Sequence, residues 1–127
     1  MFARKVFRVL GSPEDRDEIK RNFQNEVRAM TKLCQRDSHP HMVAVFRQGE
    51  VTDSAYYYID MELCDSNLDK FMRDHRPSSS SPIQLPLVWN IMVQITSGLA
   101  FIHEHGEVHR DIKPRNSMHT DVGGTKL

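Results

Sequence analysis

The stretch that constrains this chain most is the octapeptide at residues 109–116, which reads HRDIKPRN. Pro114 fixes its own φ and disfavours helix at Lys113, so the octapeptide predicts a tight loop. The loop carries a carboxylate at Asp111, an ammonium two residues later at Lys113 and a carboxamide five residues later at Asn116. The sequence therefore places three different functional groups close together on one short loop.

This set of groups is the one that phosphoryl transfer requires. A carboxylate orients a hydroxyl and accepts its proton, an ammonium balances charge on the moving phosphoryl group, and a carboxamide oxygen binds Mg²⁺. The octapeptide resembles the catalytic loop of eukaryotic protein kinases, H-R-D-x-x-x-x-N. The resemblance implies that Asp111 is the catalytic base, Lys113 the γ-phosphate partner and Asn116 a Mg²⁺ ligand, and Lys113 resembles the serine/threonine type. The alternative is a basic surface loop in which Asp111 has a structural role.

The first ten residues predict a short strand, because apolar and basic side chains alternate loosely along them. Within this strand, Ala3-Arg4-Lys5 resembles the A-x-K on the third strand of the kinase small lobe. The resemblance implies that Lys5 binds the α- and β-phosphates of ATP and that Ala3 lies over the adenine. A surface lysine on a basic strand is the alternative for Lys5.

A helix is predicted next, because Ser12 is a good N-cap and Pro13 suits the first helical position. Apolar residues then recur every three or four positions over residues 19–34, which predicts an amphipathic helix. Glu26 lies beside the apolar stripe, from which it can point toward a partner element. By the kinase resemblance, Glu26 is the helix C glutamate that pairs with Lys5, and the alternative is a solvated helix charge.

Residues 43–46 and 56–63 predict two strands joined by a polar turn at 49–54. The second of them resembles the strand that runs into the kinase hinge. The resemblance implies that Met61 is the gatekeeper and that backbone groups of Glu62 and Cys64 contact the adenine edge. It also implies that Asn67 contacts the ribose and that Met118 forms the floor of the adenine site. A plain antiparallel hairpin is the alternative for the two strands.

The second half of the chain predicts helices. A short helix is expected at 69–72 and a low-complexity loop at 76–82. A helix of some five turns is expected after Pro86 and ends near Gly106. The apolar stripe of this helix resembles that of kinase helix E. The predicted fold class is α+β, a kinase-like two-lobe fold that is incomplete. Residues 1–61 form the small-lobe part, 62–67 the hinge and 68–127 the large-lobe part.

Composition limits the partners. The formal net charge is zero, so no global basic field attracts nucleic acid or an anionic membrane. No apolar run approaches the roughly 20 residues that span a bilayer, and the N-terminus lacks the apolar core of a signal peptide. Cys34 and Cys64 form no spacing motif, which suits a reducing compartment. An intracellular, most simply cytoplasmic, location is expected.

The sequence therefore predicts an ATP- and Mg²⁺-dependent protein serine/threonine kinase that acts on hydroxyl groups of a protein substrate. The alternative is a kinase-like, non-catalytic module that binds partners as a scaffold. Neither the glycine-rich loop nor the Asp-Phe-Gly motif of kinases occurs between residues 1 and 127. Residues 1–127 alone are therefore expected to be inactive and poorly stable. Ser117 and His119 replace the apolar residues usual after the loop asparagine, and they are expected to weaken that strand's packing.

Overall fold

The computed structural model describes residues 1–34, 39–52, 54–75, 84–122 and 124–127. These residues form a mixed α+β structure, which confirms the predicted fold class. In chain order its elements are β1 (Phe2–Arg8), α1 (Pro13–Leu33), β2 (Val45–Glu50), β3 (Tyr56–Glu62), β4 (Ser66–Asn67), α2 (Leu68–Asp74), α3 (Leu85–Glu104), β5 (Met118–Thr120) and β6 (Gly124–Lys126). The chain divides into a first unit, residues 1–38 with 44–63, and a second unit, residues 39–43 with 64–127.

The first unit consists of an antiparallel sheet and helix α1. The strand order is β1-β3-β2, and β1 pairs with β3 along its whole length. Helix α1 begins where the sequence predicts: the Ser12 hydroxyl accepts a hydrogen bond from Asp15 N at 3.2 Å, and the Asp15 carboxylate accepts one from Ser12 N at 2.9 Å. This capping box satisfies backbone donors that the first turn leaves free.

Aromatic packing holds α1 against the sheet. Phe23 of α1 is buried, and its ring centroid lies 5.4 Å from that of Phe7 on β1 and 4.6 Å from that of Tyr57 on β3. Ile59, in the middle of β3, is completely buried. The helix therefore has one defined face on the sheet, and this face determines which α1 side chains reach β1.

The second strand differs from its prediction. It runs over Val45–Glu50 rather than 43–46, so Gly49 belongs to the strand and not to the predicted polar turn. The reason is packing across the sheet, because a Cβ at position 49 would approach the Tyr58 ring to 3.2 Å. Glycine lets this ring lie close against β2. The β2–β3 register also shifts between Val45 and Arg47, as at a β-bulge.

The second unit is built around α2 and α3. Leu68 and Phe71 of α2 form a buried cluster with Ile91 of α3. Helix α3 contains the predicted five-turn segment and ends at Glu104, followed by Gly106 with φ of 72°. Helix α2 is longer than predicted, since it covers Leu68–Asp74 rather than 69–72. The predicted loop at 76–82 lies outside the described residues.

The small sheet β4-β5-β6 completes the second unit. Ser117 is buried at its start, where its hydroxyl donates to Lys113 O at 3.2 Å and its carbonyl accepts from Leu68 N at 2.8 Å. The ring of His119 lies 3.7 Å from the Phe71 ring between centroids. Burial, the largest cause, lowers the pKa of His119. The two polar residues that were expected to weaken this strand thus each have a defined packing partner.

Helix α3 also bears on the expectation that no segment spans a membrane. The helix has 20 residues, and its most apolar 18-residue window has a mean hydropathy of 1.6, so by length and composition alone it is apolar enough to cross a bilayer. Core helices of soluble proteins meet the same criterion. Within its own unit, Gln94 Oε1 of α3 accepts a hydrogen bond from Thr125 N of β6 at 2.7 Å and Ile102 is buried, but only 17% of the apolar window is buried. The criterion is therefore weak support for a membrane span.

Candidate active site

The octapeptide 109–116 forms the loop that its sequence predicts, between α3 and β5. Arg110 has φ of 65°, which is uncommon for a residue with a side chain. Beyond it, the backbone N–H of Asn116 donates to Lys113 O at 2.9 Å and closes a turn over Pro114. This turn folds the loop back so that residues five positions apart meet.

The three functional groups of the loop meet at one oxygen atom. Oδ2 of Asp111 accepts hydrogen bonds from Lys113 Nζ at 2.8 Å and from Asn116 Nδ2 at 2.6 Å. The Lys113 hydrogen bond, the largest cause, holds the pKa of Asp111 below its usual value. Oδ1 of Asp111 has no hydrogen bond within the described part of the chain, so an ionised oxygen is left for another donor.

The loop also offers a ligand of the kind that Mg²⁺ prefers. Asn116 uses its amide nitrogen toward Asp111 and keeps its carboxamide oxygen free of hydrogen bonds among the described residues. Carboxamide and carboxylate oxygens are hard ligands that suit Mg²⁺. In the described ranges no group of three His, Cys, Asp or Glu residues could hold a metal by itself. Asn116 Oδ1 is thus the loop oxygen that would hold a Mg²⁺ ion.

In the first unit, the predicted contact between strand and helix is confirmed. Lys5 Nζ lies 2.5 Å from Glu26 Oε1. Phe23 explains this proximity, because residues three positions apart share a helix face and Phe23 packs directly on the sheet. The side chains of Lys5 and Glu26 are 49% and 30% exposed. An ion pair this exposed adds little to stability, so its importance lies in where it places the Lys5 ammonium.

The residues predicted to contact adenine fall into both units. Ala3 and Met61 are direct partners in the β1–β3 register of the first unit. Glu62 ends β3 and donates its backbone N–H to Ala44 O at 2.8 Å. Cys64 follows in the second unit and is half-buried. Their contacts with a nucleotide remain predictions.

Asn67 and Met118 are partners in the β4–β5 register of the second unit. Asn67 has a role that sequence reasoning missed, because it is the N-cap of α2 and its Oδ1 accepts a hydrogen bond from Lys70 N at 2.8 Å. The signal for it was present, since asparagine directly before a helical segment is a preferred N-cap. Any contact of Asn67 with ribose would have to use its amide nitrogen.

A second feature missed from sequence is a buried carboxylate on β3. Asp60 is completely buried, and Arg4 binds it with two hydrogen bonds, Nε to Oδ1 at 2.6 Å and Nη2 to Oδ2 at 2.8 Å. The Arg4 hydrogen bonds, the largest cause, lower the pKa of Asp60. The sequence signal was a carboxylate in the middle of a largely aromatic and apolar strand.

The second unit thus gathers a carboxylate, an ammonium and a carboxamide on one loop, and the first unit contains a lysine–glutamate pair. The family model described as protein kinase domain matches residues 1–127. The chain belongs to the protein kinase family. Transferase chemistry and ATP binding are properties of this family.

Individual kinases are similar to this chain at moderate identity. Cyclin-dependent kinase B2-1 of Oryza sativa subsp. japonica is 35% identical over 107 residues, which cover 84% of this chain and 32% of that protein. Serine/threonine-protein kinase PrkC of Bacillus subtilis is 32% identical over 112 residues, covering 87% and 16% respectively. Serine/threonine-protein kinase PknK of Mycobacterium tuberculosis is 31% identical over 120 residues, covering 94% and 10%. The chain thus spans a third or less of the length of these relatives.

Proposed function

We propose that residues 1–127 belong to a kinase domain that transfers the γ-phosphoryl group of ATP to serine or threonine hydroxyls of a protein substrate, and that residues 1–127 alone do not carry out this transfer. The observation that carries the proposal is the convergence of Lys113 and Asn116 on one carboxylate oxygen of Asp111. The serine/threonine specificity is supported by Lys113 within the loop and by the names of similar kinases.

Asp111 takes the part of hydroxyl-orienting group and base. Its lowered pKa keeps the carboxylate ionised at neutral pH, and Oδ1 is available to the substrate hydroxyl. As the hydroxyl oxygen bonds to phosphorus and the bond to the β-phosphate oxygen breaks, the hydroxyl proton passes to the carboxylate. Lys113, 2.8 Å from the same carboxylate, can offer its other N–H groups to the γ-phosphate.

The remaining residues bind the nucleotide. Lys5, positioned by Glu26, neutralises the α- and β-phosphates, and Asn116 is the residue that would hold Mg²⁺. Mg²⁺, when bound, neutralises charge on the phosphate oxygens. Ala3 and Met61 lie together in the sheet register and form part of the adenine site in this proposal.

The rest of that site comes from the segment after β3 and from the β4–β5 pair. The backbone groups of Glu62 and Cys64 would bind the adenine edge, Met118 would form the floor of the adenine site, and Asn67 would reach the ribose through its amide nitrogen. We place the protein inside the cell, in the cytoplasm, because Cys34 and Cys64 form no spacing motif, which suits a reducing compartment.

Nucleotide binding by matched lysine variants tests this assignment. Lys5→Ala in the full-length protein should weaken Mg²⁺-ATP binding about tenfold or more, because it removes a charge-assisted phosphate contact. Lys20→Ala removes the same charge from the exposed surface of α1 and should change the dissociation constant less than about twofold. Equal effects of both substitutions would contradict the role of Lys5.

The same experiment separates the second candidate function, a kinase-like module that binds partners without transferring phosphate. If the unmodified full-length protein binds Mg²⁺-ATP through Lys5 and yet phosphorylates no protein hydroxyl, the binding module is the correct assignment. Transfer of phosphate to serine or threonine would support the kinase assignment. Because binding and transfer are measured separately, the two outcomes cannot be confused.

A further inference from the structure

The sheet of the first unit has two different faces. Lys5 and Phe7 of β1 lie on the face that packs against α1 through Glu26 and Phe23. Alternation along the strands places another set of residues on the opposite face, which we call the arginine face. In strand register it comprises Phe2, Arg4, Val6 and Arg8 of β1, Tyr56, Tyr58, Asp60 and Glu62 of β3, and Arg47 and Gly49 of β2.

The two carboxylates of the arginine face are already engaged within the unit. Asp60 is completely buried and bound through both oxygens by Arg4. Glu62 stands at the end of β3, where its Oε2 accepts a hydrogen bond from Ala44 N at 3.3 Å. The Asp60 carboxylate also lies within ion-pair distance of Arg47 on β2.

Two guanidinium groups of the face, by contrast, are only weakly engaged. Arg47 Nε lies 3.6 Å from Asp60 Oδ2, beyond hydrogen-bond distance, and its side chain is 65% exposed. The Arg8 guanidinium lies 5.9 Å from the Tyr56 ring centroid and forms no ion pair in the part of the chain that the structure describes. The arginine face therefore presents two exposed guanidinium groups: Arg47 lies level with the Arg4–Asp60 pair, and Arg8 lies four residues further along β1.

Apolar surface lies between these two cations. Val6 is 53% exposed, and the neighbouring Tyr58 ring lies against Gly49 on one side of the strand. The Arg4 guanidinium carbon lies 4.3 Å from the Tyr58 ring centroid. Guanidinium groups thus already contact the aromatic rings, as Arg8 also does with Tyr56, so the rings are poorly placed to stack on nucleic-acid bases.

The spacing of the two cations sets the length of a ligand that can reach both. Arg47 on β2 and Arg4 on β1 both pair with Asp60 of the central strand, so Arg47 lies level with Arg4 and two strands away from β1. Arg8 lies four residues further along β1 than Arg4. Strand geometry gives about 14 Å along the strand and about 10 Å across, hence a separation of roughly 17 Å. An extended peptide covers this separation in about five residues.

We propose that the arginine face binds an extended acidic segment of a partner protein, with acidic side chains about five residues apart and an apolar side chain between them. Carboxylates form charge-assisted, bidentate hydrogen bonds with guanidinium groups, and the apolar side chain covers Val6. Arg8, Arg47 and Val6, which carry the inference, belong to the first unit, and none of these three binds the nucleotide in the proposed function. The inference therefore stands apart from phosphoryl transfer.

Fluorescence anisotropy with a labelled peptide tests the inference on the full-length protein. The probe is the fluorescein-labelled peptide Glu-Glu-Gly-Phe-Gly-Glu-Glu. Arg8→Gln combined with Arg47→Gln should raise its dissociation constant about tenfold or more, which corresponds to the loss of two charge-assisted contacts. Lys20→Gln combined with Arg21→Gln removes the same charge from α1, and this matched control should change the constant less than about twofold.

Substitutions at Val6 give an independent readout that leaves both arginines in place. Val6 is exposed, so Val6→Lys and Val6→Glu should both fold; the lysine variant should bind the probe more tightly and the glutamate variant more weakly. Circular dichroism melts of all variants confirm that the sheet is intact.

Three outcomes would overturn the proposal. One is an equal loss of affinity in the arginine variant and in the α1 control, which would mean general charge attraction. Another is an unchanged affinity in both Val6 variants. The third is tighter binding of a single-stranded oligonucleotide than of the peptide, lost in the same arginine variant, which would mean a nucleic-acid surface.

Discussion

Replacing Phe23 with alanine should destabilise the first unit and disturb nucleotide binding together. Phe23 is 7% exposed and packs between the rings of Phe7 and Tyr57. Removing a buried phenylalanine costs about 3–5 kcal/mol of unfolding free energy, from lost burial and the cavity left behind. About 1–3 kcal/mol of this comes from the two aromatic contacts, at about 0.5–1.5 kcal/mol each. A domain of ordinary stability, ~5–15 kcal/mol, loses about a fifth of it at the least and all of it at the most.

The same substitution loosens the attachment of α1 to the sheet, so Glu26 should spend less time beside Lys5 and Mg²⁺-ATP affinity should fall. Urea unfolding of the full-length protein measures the first effect, and nucleotide titration measures the second. Asn22→Ala, at an exposed neighbouring position of α1, is the control and should change stability by no more than about 0.5 kcal/mol. If Phe23→Ala unfolds at the same urea concentration as Asn22→Ala, the packing argument is wrong.

Two further predictions concern buried groups. Because Arg4 lowers the folded-state pKa of Asp60, the pair stabilises the fold above the usual aspartate pKa, and this contribution disappears as pH falls through the lowered folded value. Melting temperatures measured at decreasing pH should show this loss. Asp60→Asn should melt at a lower temperature at pH 7 and lose this acid dependence, whereas Asp17→Asn, exposed on α1, should behave like the unmodified protein. Burial raises the pKa of the Cys34 thiol to about 11. Iodoacetamide at pH 8 should therefore modify half-buried Cys64 before Cys34. Mass spectrometry that showed faster modification of Cys34 would contradict the burial of Cys34.

The features that could be predicted from sequence are those decided by neighbouring residues. Ser12 and Pro13 mark the start of α1 because capping depends on side chains within one turn. The loop at 109–116 was predictable because Pro114 restricts its own neighbourhood. The contact of Lys5 with Glu26 joins residues 21 positions apart, and it was predicted only through the kinase resemblance.

The features that could not be predicted depend on strand register and packing across the sheet. Gly49 looks like a turn residue locally, and its place inside β2 follows from the Tyr58 ring on the neighbouring strand. Arg4 and Asp60 are 56 positions apart, so only the β1–β3 register brings them together. The sequence pattern predicted strands β1 and β3, with ends that differ from the structure by two residues or fewer. The pattern could not predict how β1 and β3 pair with each other.

The central claim is that Asp111 serves the accepting hydroxyl and not the nucleotide. Asp111→Asn in the full-length protein should lower the rate of phosphate transfer by about 10²–10⁴-fold, the usual cost of a lost base or orienting group. Mg²⁺-ATP affinity should stay within about twofold, and Asp121→Asn, exposed in the turn after β5, should leave both quantities unchanged. Turnover and nucleotide affinity measured on the same preparations decide the matter: a large loss of turnover with unchanged affinity is the predicted result, and a joint loss of both, or unchanged turnover, would contradict the account.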